Sequence, residues 1–85
     1  MQKANSIDIR AYQSNIEVFA SRDDDNGYWE GSGRILTYTI DADTIPSASY
    51  VPTIRQIHAD ANGYLTMAQC RTVKQAILSH ASALN

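Results

Sequence analysis

From Ser6 to Tyr12 the chain alternates, with Ile7, Ile9 and Ala11 on one side and Asp8, Arg10 and Tyr12 on the other. That two-residue period describes a strand with one face turned to a core. Ile16, Val18 and Ala20 continue the alternation on even instead of odd positions, so the phase slips at Gln13-Ser14-Asn15. A tight turn or a bulge produces such a slip, and we read a turn leading into a second strand. Asp23-Asp24-Asp25-Asn26-Gly27 carries the strongest turn signal in the chain, since Asn-Gly accepts positive φ at little cost. Beyond it, Tyr28 to Asp41 reads as a long third strand with a bulge at Gly31-Ser32-Gly33 and with Leu36, Tyr38 and Ile40 on one face. The pattern predicts a three-stranded antiparallel meander.

Residues 42–51 hold Asp43, Pro46 and two serines without a period, and so form a connection to a helical half. Pro52 suits the first turn of a helix. Ile54, Ile57 and Ala61 then recur at spacings of three and four, which favours a short helix over a fourth strand across residues 52–61. Asn62-Gly63 closes that helix, because both residues tolerate the left-handed conformation. Thr66 three residues before Gln69 is a capping box, and Leu65 ahead of the cap is placed to staple onto Cys70. A final helix is therefore expected from Met67 to about Leu84. Its apolar stripe is Met67, Cys70, Val73, Ile77, Ala81 and Leu84, while Arg71, Thr72, Gln75, Ser79 and Ser82 face away. The expected fold is α+β: a small antiparallel sheet of three strands, or four if residues 52–61 extend, followed by a short helix and a longer C-terminal helix packed on one face.

Length makes this a single domain, residues 1–85, that buries only roughly 60–65% of its unfolded surface, so its core is thin. Seven basic against nine acidic residues give a net charge of −2, which removes the simplest electrostatic case for duplex DNA or an anionic membrane. No apolar run approaches the ~18 residues of a membrane span, and the opening Met-Gln-Lys-Ala-Asn lacks a signal peptide's apolar segment. A cytoplasmic protein is expected. The single cysteine, Cys70, forms no internal disulfide, in keeping with a reducing compartment.

The twelve residues from His58 to Gln69 resemble an EF-hand calcium loop. Asp60 stands at its third position, Asn62 at the fifth, the turn glycine Gly63 at the sixth, Leu65 at the eighth and Thr66 at the ninth. The resemblance implies a metal site formed by Asp60, Asn62, the Tyr64 carbonyl and Thr66, with calcium as the one candidate cofactor. The chain departs from the pattern at His58, where a carboxylate is wanted, and at Gln69, which replaces the bidentate glutamate. The alternative is a plain turn between helices. Otherwise no cofactor is expected.

Catalysis draws little support. Cys70 with His58 or His80 is the sole thiol and imidazole combination, but Cys70 falls on an apolar stripe and His80 in a last helical turn, where a cationic ring suits the helix dipole. No enzyme is expected. Gly31-Ser32-Gly33 lacks the third glycine, the lysine and the helix of a phosphate loop.

The surface is more informative. With the aliphatic face covered, the other side of the sheet carries Arg10, Tyr12, Glu17, Phe19, Ile35 and Thr37, with Tyr28 and Trp29 near the hairpin and Tyr50 in the connection. Arginine and aromatics on a polar face are the composition of binding hot spots. Asp23, Asp24 and Asp25 form either a solvated hairpin tip or an acidic lure for a basic partner. The expected function is a small protein-binding regulator or inhibitor of the kind phages and mobile elements encode. It would grip another protein through Arg10, Tyr12, Phe19, Tyr28, Trp29 and the aspartates. A single-stranded nucleic-acid platform built on Arg10, Tyr12 and Phe19 is the alternative. Self-pairing into a homodimer through the aromatic face or an uncovered strand edge is also expected to be open to the chain.

Overall fold

A computed structural model describes residues 2–23, 29–40 and 51–84. Strands β1 (Ser6–Ala11), β2 (Asn15–Ser21) and β3 (Gly33–Thr39) are followed by helices α1 (Ile54–Asp60) and α2 (Met67–Leu84). The three strands form one antiparallel sheet in the order β1-β2-β3, so the fold is α+β with a meander followed by a short and a longer helix. The phase slip is a tight turn: Tyr12 N–H donates to the Asn15 carbonyl at 2.8 Å, closing a loop of Gln13 and Ser14. No helix among the described residues is long and apolar enough to cross a membrane.

The register sets the two faces. Ile7 lies opposite Ala20, Ile9 opposite Val18 and Ala11 opposite Ile16, while Val18 faces Leu36 and Ile16 faces Tyr38 across the second pairing. Aliphatic positions of three strands thus share one side, and it is this side that the helices cover. Ile16, Val18 and Leu36 join Ile57, Ala61, Leu65, Cys70, Val73, Ile77 and Ala81 in one buried cluster. Spacing by three and four places the α1 and α2 members of that cluster on single helical faces. Arg71, Thr72, Gln75, Ser79 and Ser82 are exposed as the periodicity requires. Residues 52–61 are helical instead of a fourth strand, and the cap is Thr53, whose side chain accepts from Gln56 N–H; Pro52 stands one residue before it, outside the first turn. Asn62 (φ 53) and Gly63 (φ 77) end the helix in the left-handed region.

Four expectations need correction. Met67 does not belong to the apolar stripe: at the first position of α2 it is 43% exposed, while Leu65, immediately before the cap, is fully buried. The third strand does not start at Tyr28 with a bulge at Gly31-Ser32-Gly33. Ser32 N–H donates to the Trp29 carbonyl at 3.0 Å, a turn that delivers the chain to Gly33, and the strand begins there at φ 104. The bulge lies further on: Val18 pairs with Leu36 but Phe19 pairs with Arg34, leaving Ile35 as the extra residue. Ile35 accordingly packs against the core instead of standing on the outer face. The acidic tip at Asp24 and Asp25, with Tyr28, and the connection carrying Tyr50 lie outside the described residues.

Trp29 is the fourth correction. Expected near the hairpin as a surface aromatic, it is 5% exposed and meets Tyr64 edge to face, with ring centroids 5.3 Å apart and planes at 81°. Gly31 makes this possible: a Cβ there would sit 2.6 Å from the Trp29 ring and 2.9 Å from that of Tyr64. Gly31→Ala is therefore expected to cost about 1–3 kcal/mol by overpacking, read as a lowered urea midpoint at unchanged m-value. A midpoint equal to that of the parent protein would mean that the indole has room to move.

Candidate functional site

The side of the sheet away from the helices is built by residues whose register partners also point outward. Asp8, Phe19 and Arg34 form one row across the three strands, and Arg10, Glu17 and Thr37 form the next. Arg10 and Phe19 are diagonal neighbours, within reach for a long side chain and a ring. The guanidinium carbon of Arg10 lies over the Phe19 ring, 4.2 Å from its centroid. Its Nε donates to Asp8 Oδ2 at 2.9 Å, and this hydrogen bond, with the Asp8 charge, holds the Arg10 pKa above its ordinary value. On the other diagonal Arg34 Nη1 donates to Glu17 Oε2 at 2.5 Å.

Phe19 is half-buried, with Arg10 over its ring and Arg34 as its register partner on β3, each arginine hydrogen-bonded to a carboxylate. Exposed ion pairs such as Arg34 with Glu17 contribute only ~0–1 kcal/mol, so the fold depends little on them. What they do is hold cations and an aromatic in a fixed arrangement on an exposed surface. Tyr12, 45% exposed, stands just past the end of β1 beside this patch.

Of the expected partner-binding residues, the structure brings together Arg10, Phe19 and Tyr12 and removes Trp29 to the core. Asp23 is exposed, and its N–H donates to Asn5 Oδ1 at 3.2 Å. Asp24, Asp25 and Tyr28 fall outside the described residues. Sequence reasoning missed Arg34 and Asp8. Strict alternation put Arg34 on the same side as Leu36, and the one-residue register shift at Val18/Phe19 reverses that. A charged residue in core phase directly after a glycine was the available signal.

The EF-hand-like stretch is a tight corner between α1 and α2. Asp60 lies in the last turn of α1 with both carboxylate oxygens engaged: Oδ2 accepts from Tyr38 O–H at 2.8 Å and Oδ1 from Gln56 Nε2 at 2.7 Å. Burial first, then the hydrogen bond to Asp60 and its charge, push the Tyr38 hydroxyl above the usual phenol range. The Tyr64 carbonyl accepts from Ala4 N–H at 2.8 Å, and the Thr66 hydroxyl accepts from Gln69 N–H at 3.1 Å. Asn62 is exposed at the turn itself. Among the described residues no group of three His, Cys, Asp or Glu side chains is placed to hold a metal ion.

Gln69 shows why this corner departs from the calcium pattern. Its Oε1 accepts from Thr66 N–H at 2.9 Å while its Nε2 donates to the Ala4 carbonyl at 2.9 Å. A glutamate would keep the first bond and lose the second. Cys70, one residue on, is fully buried, and burial pushes its thiol up, away from the thiolate a nucleophile needs.

Comparison with protein-family models, with curated proteins and with solved structures finds no match for this chain.

Two outcomes are expected at the corner. Gln69→Glu should lose about 1–3 kcal/mol at neutral pH, because a carboxylate replaces the donor to Ala4. The deficit should narrow below the ordinary glutamate pKa of about 4.3, where the protonated acid donates again. Calcium titration followed by Trp29 fluorescence should give no saturable change, since the aromatic pair of Trp29 and Tyr64 reports on this corner. A saturable response would bring the ion-binding loop forward.

Proposed function

We propose that the chain is a small non-enzymatic protein-binding module, a regulator or inhibitor that acts by occupying a partner protein's surface with the uncovered face of its sheet. The observation that carries this reading is the Phe19 ring lying under the Arg10 guanidinium, with Arg34 opposite Phe19 in the register, on a face the helices leave open. Arginine and aromatic side chains dominate binding energy where they are packed and desolvated by a partner. Here their geometry is set in advance by Asp8 and Glu17, which lowers the ordering cost of association.

Balanced charge favours protein over nucleic acid as the partner. Each arginine of the patch already faces a carboxylate, so a phosphate backbone would meet two negative charges along with two positive ones. Exposed Asp23 adds a further negative charge to the molecule's surface, which suits a partner with basic groups. The buried, raised-pKa thiol of Cys70 supports a non-enzymatic role, and a lone free cysteine suits the cytoplasm.

The test compares proteins retained from the native host by the immobilised chain and by the Arg10→Glu, Phe19→Ala double variant. A partner held by the first should be lost by the second, with affinity reduced a hundredfold or more, roughly the 2 kcal/mol or more of a hot spot plus a reversed charge. Far-ultraviolet circular dichroism should be unchanged, because both side chains point away from the core. Retention of the partner by the double variant would place its interface elsewhere. Salt-sensitive binding to single-stranded oligonucleotides, lost in the same variant, would support the stacking platform instead.

A further inference from the structure

The outer edge of β1 is a second surface, distinct from the open face of the sheet. β1 is a terminal strand of the sheet, and its register with β2 is unbroken from Ser6 to Ala11. Tyr12 N–H donates across to Asn15, so the even-numbered residues of β1 turn their backbone groups toward β2. The bond from Ile40 N–H to the Ser14 carbonyl fixes the same alternation from the β3 side. Ile7, Ile9 and Ala11 therefore send their N–H and C=O groups outward from the sheet. No described strand pairs with them. The other terminal strand, β3, is interrupted by its bulge, a device that discourages edge pairing; β1 carries no bulge, proline or lysine.

We propose that this edge pairs with a second copy of the chain, β1 against β1 antiparallel, about a twofold axis through Ile9. The axis is selected by charge. With Ile9 opposite Ile9, Asp8 of each copy lies opposite Arg10 of the other, and Ile7 lies opposite Ala11. The outward backbone groups of Ile7, Ile9 and Ala11 then meet as hydrogen-bonded pairs, while Asp8 and Arg10 fall on the non-hydrogen-bonded positions where side chains approach most closely. Sliding the strands by two residues sets Asp8 against Asp8 in one direction and Arg10 against Arg10 in the other, which like-charge repulsion disfavours. Sliding by one residue mismatches the outward groups altogether.

A twofold axis perpendicular to the sheet keeps both helical layers on one side and both open faces on the other. Half-buried Ile7 and Ile9, already packed against the core, then continue from one copy's apolar layer into the next. Asp8 and Arg10 are well exposed, with side chains 61% and 54% accessible, so both are within reach of a second copy.

Sedimentation of the purified chain across a concentration series should show a species of twice the 9.4 kDa chain mass. Asp8→Arg alone sets Arg against Arg across the axis, and Arg10→Asp alone sets Asp against Asp. Each should weaken the dimer about tenfold or more. Mixing the two single variants should restore a one-to-one heterodimer, and the double swap Asp8→Arg with Arg10→Asp should restore the homodimer. A variant that merely misfolded would give neither rescue. Hydrogen exchange at the Ile9 amide should also slow as concentration rises. A chain that stays monomeric at its highest soluble concentration overturns the proposal, as does a dimer indifferent to both single variants or a pair of variants that fail to rescue each other. The proposal does not rest on the functional reading. Phe19→Ala, which damages the open face, should leave the dimer intact, so the two are separable.

Discussion

The junction held by Gln69 sets how the sheet and the helices meet. One side chain receives the Thr66 N–H that would otherwise be orphaned at the start of α2, and passes a hydrogen bond on to the Ala4 carbonyl sixty-five residues back in the chain. Ala4 N–H returns to the Tyr64 carbonyl at 2.8 Å, and Lys3 Nζ donates to the carbonyl of Gly63 at 2.5 Å. Arg22, at the far end of β2, donates to the Lys3 carbonyl. The entry to β1, the exit of β2 and the corner between the helices are thereby joined at one place. In a core this thin, nondirectional apolar burial leaves the angle between the layers loosely determined; polar bonds that each have one geometry determine it.

That junction also separates what was legible in the sequence from what was not. The strand periods, the turn at Gln13-Ser14, the left-handed Asn62-Gly63 and the capping box at Thr66 are local, since each is decided by residues a few positions apart. All appear where the pattern puts them, except that the period of the third strand holds only from Leu36 onward. What the pattern missed depends on contacts distant in sequence. Trp29 enters the core because Gly31 has no Cβ and Tyr64 offers an edge, and neither fact is visible from the neighbours of Trp29. Arg34 crosses to the open face because the strand pair shifts register at Val18 and Phe19. An alternating pattern carries no mark of where an extra residue will be accommodated, although an arginine in core phase was a hint.

The EF-hand resemblance shows the same division from the other side. A glycine turn followed by a capped helix is required by both a calcium loop and a plain helical corner, so matches at Gly63, Leu65 and Thr66 do not discriminate. The discriminating positions are those that need oxygen atoms free of protein partners. Asp60 has given both of its oxygens to Tyr38 and Gln56, and Tyr64 has given its carbonyl to Ala4. What in a calcium loop would be a shell of ligands is here a set of hydrogen bonds that tie α1 to β3 and the corner to the N-terminal segment.

Open face and open edge follow from a single shortage. Two helices are enough to cover one side of three strands, and eighty-five residues supply no second helical layer among the described elements. A face left to water cannot be aliphatic without inviting indiscriminate association, and on this one Phe19 is the sole apolar side chain in the two rows across the strands, shielded by the guanidinium of Arg10. A strand left at the rim finds no partner for its outward backbone groups among the described strands, and β1 carries no bulge, proline or lysine. The two surfaces therefore differ in kind. The face presents fixed charge and one ring, features that discriminate between partners. The edge presents bare backbone, which any strand can pair, and depends on Asp8 and Arg10 to make one register better than its neighbours. Recognition by the face is a matter of side-chain identity, and recognition by the edge is a matter of register. The same two residues, Asp8 and Arg10, lie where those requirements meet.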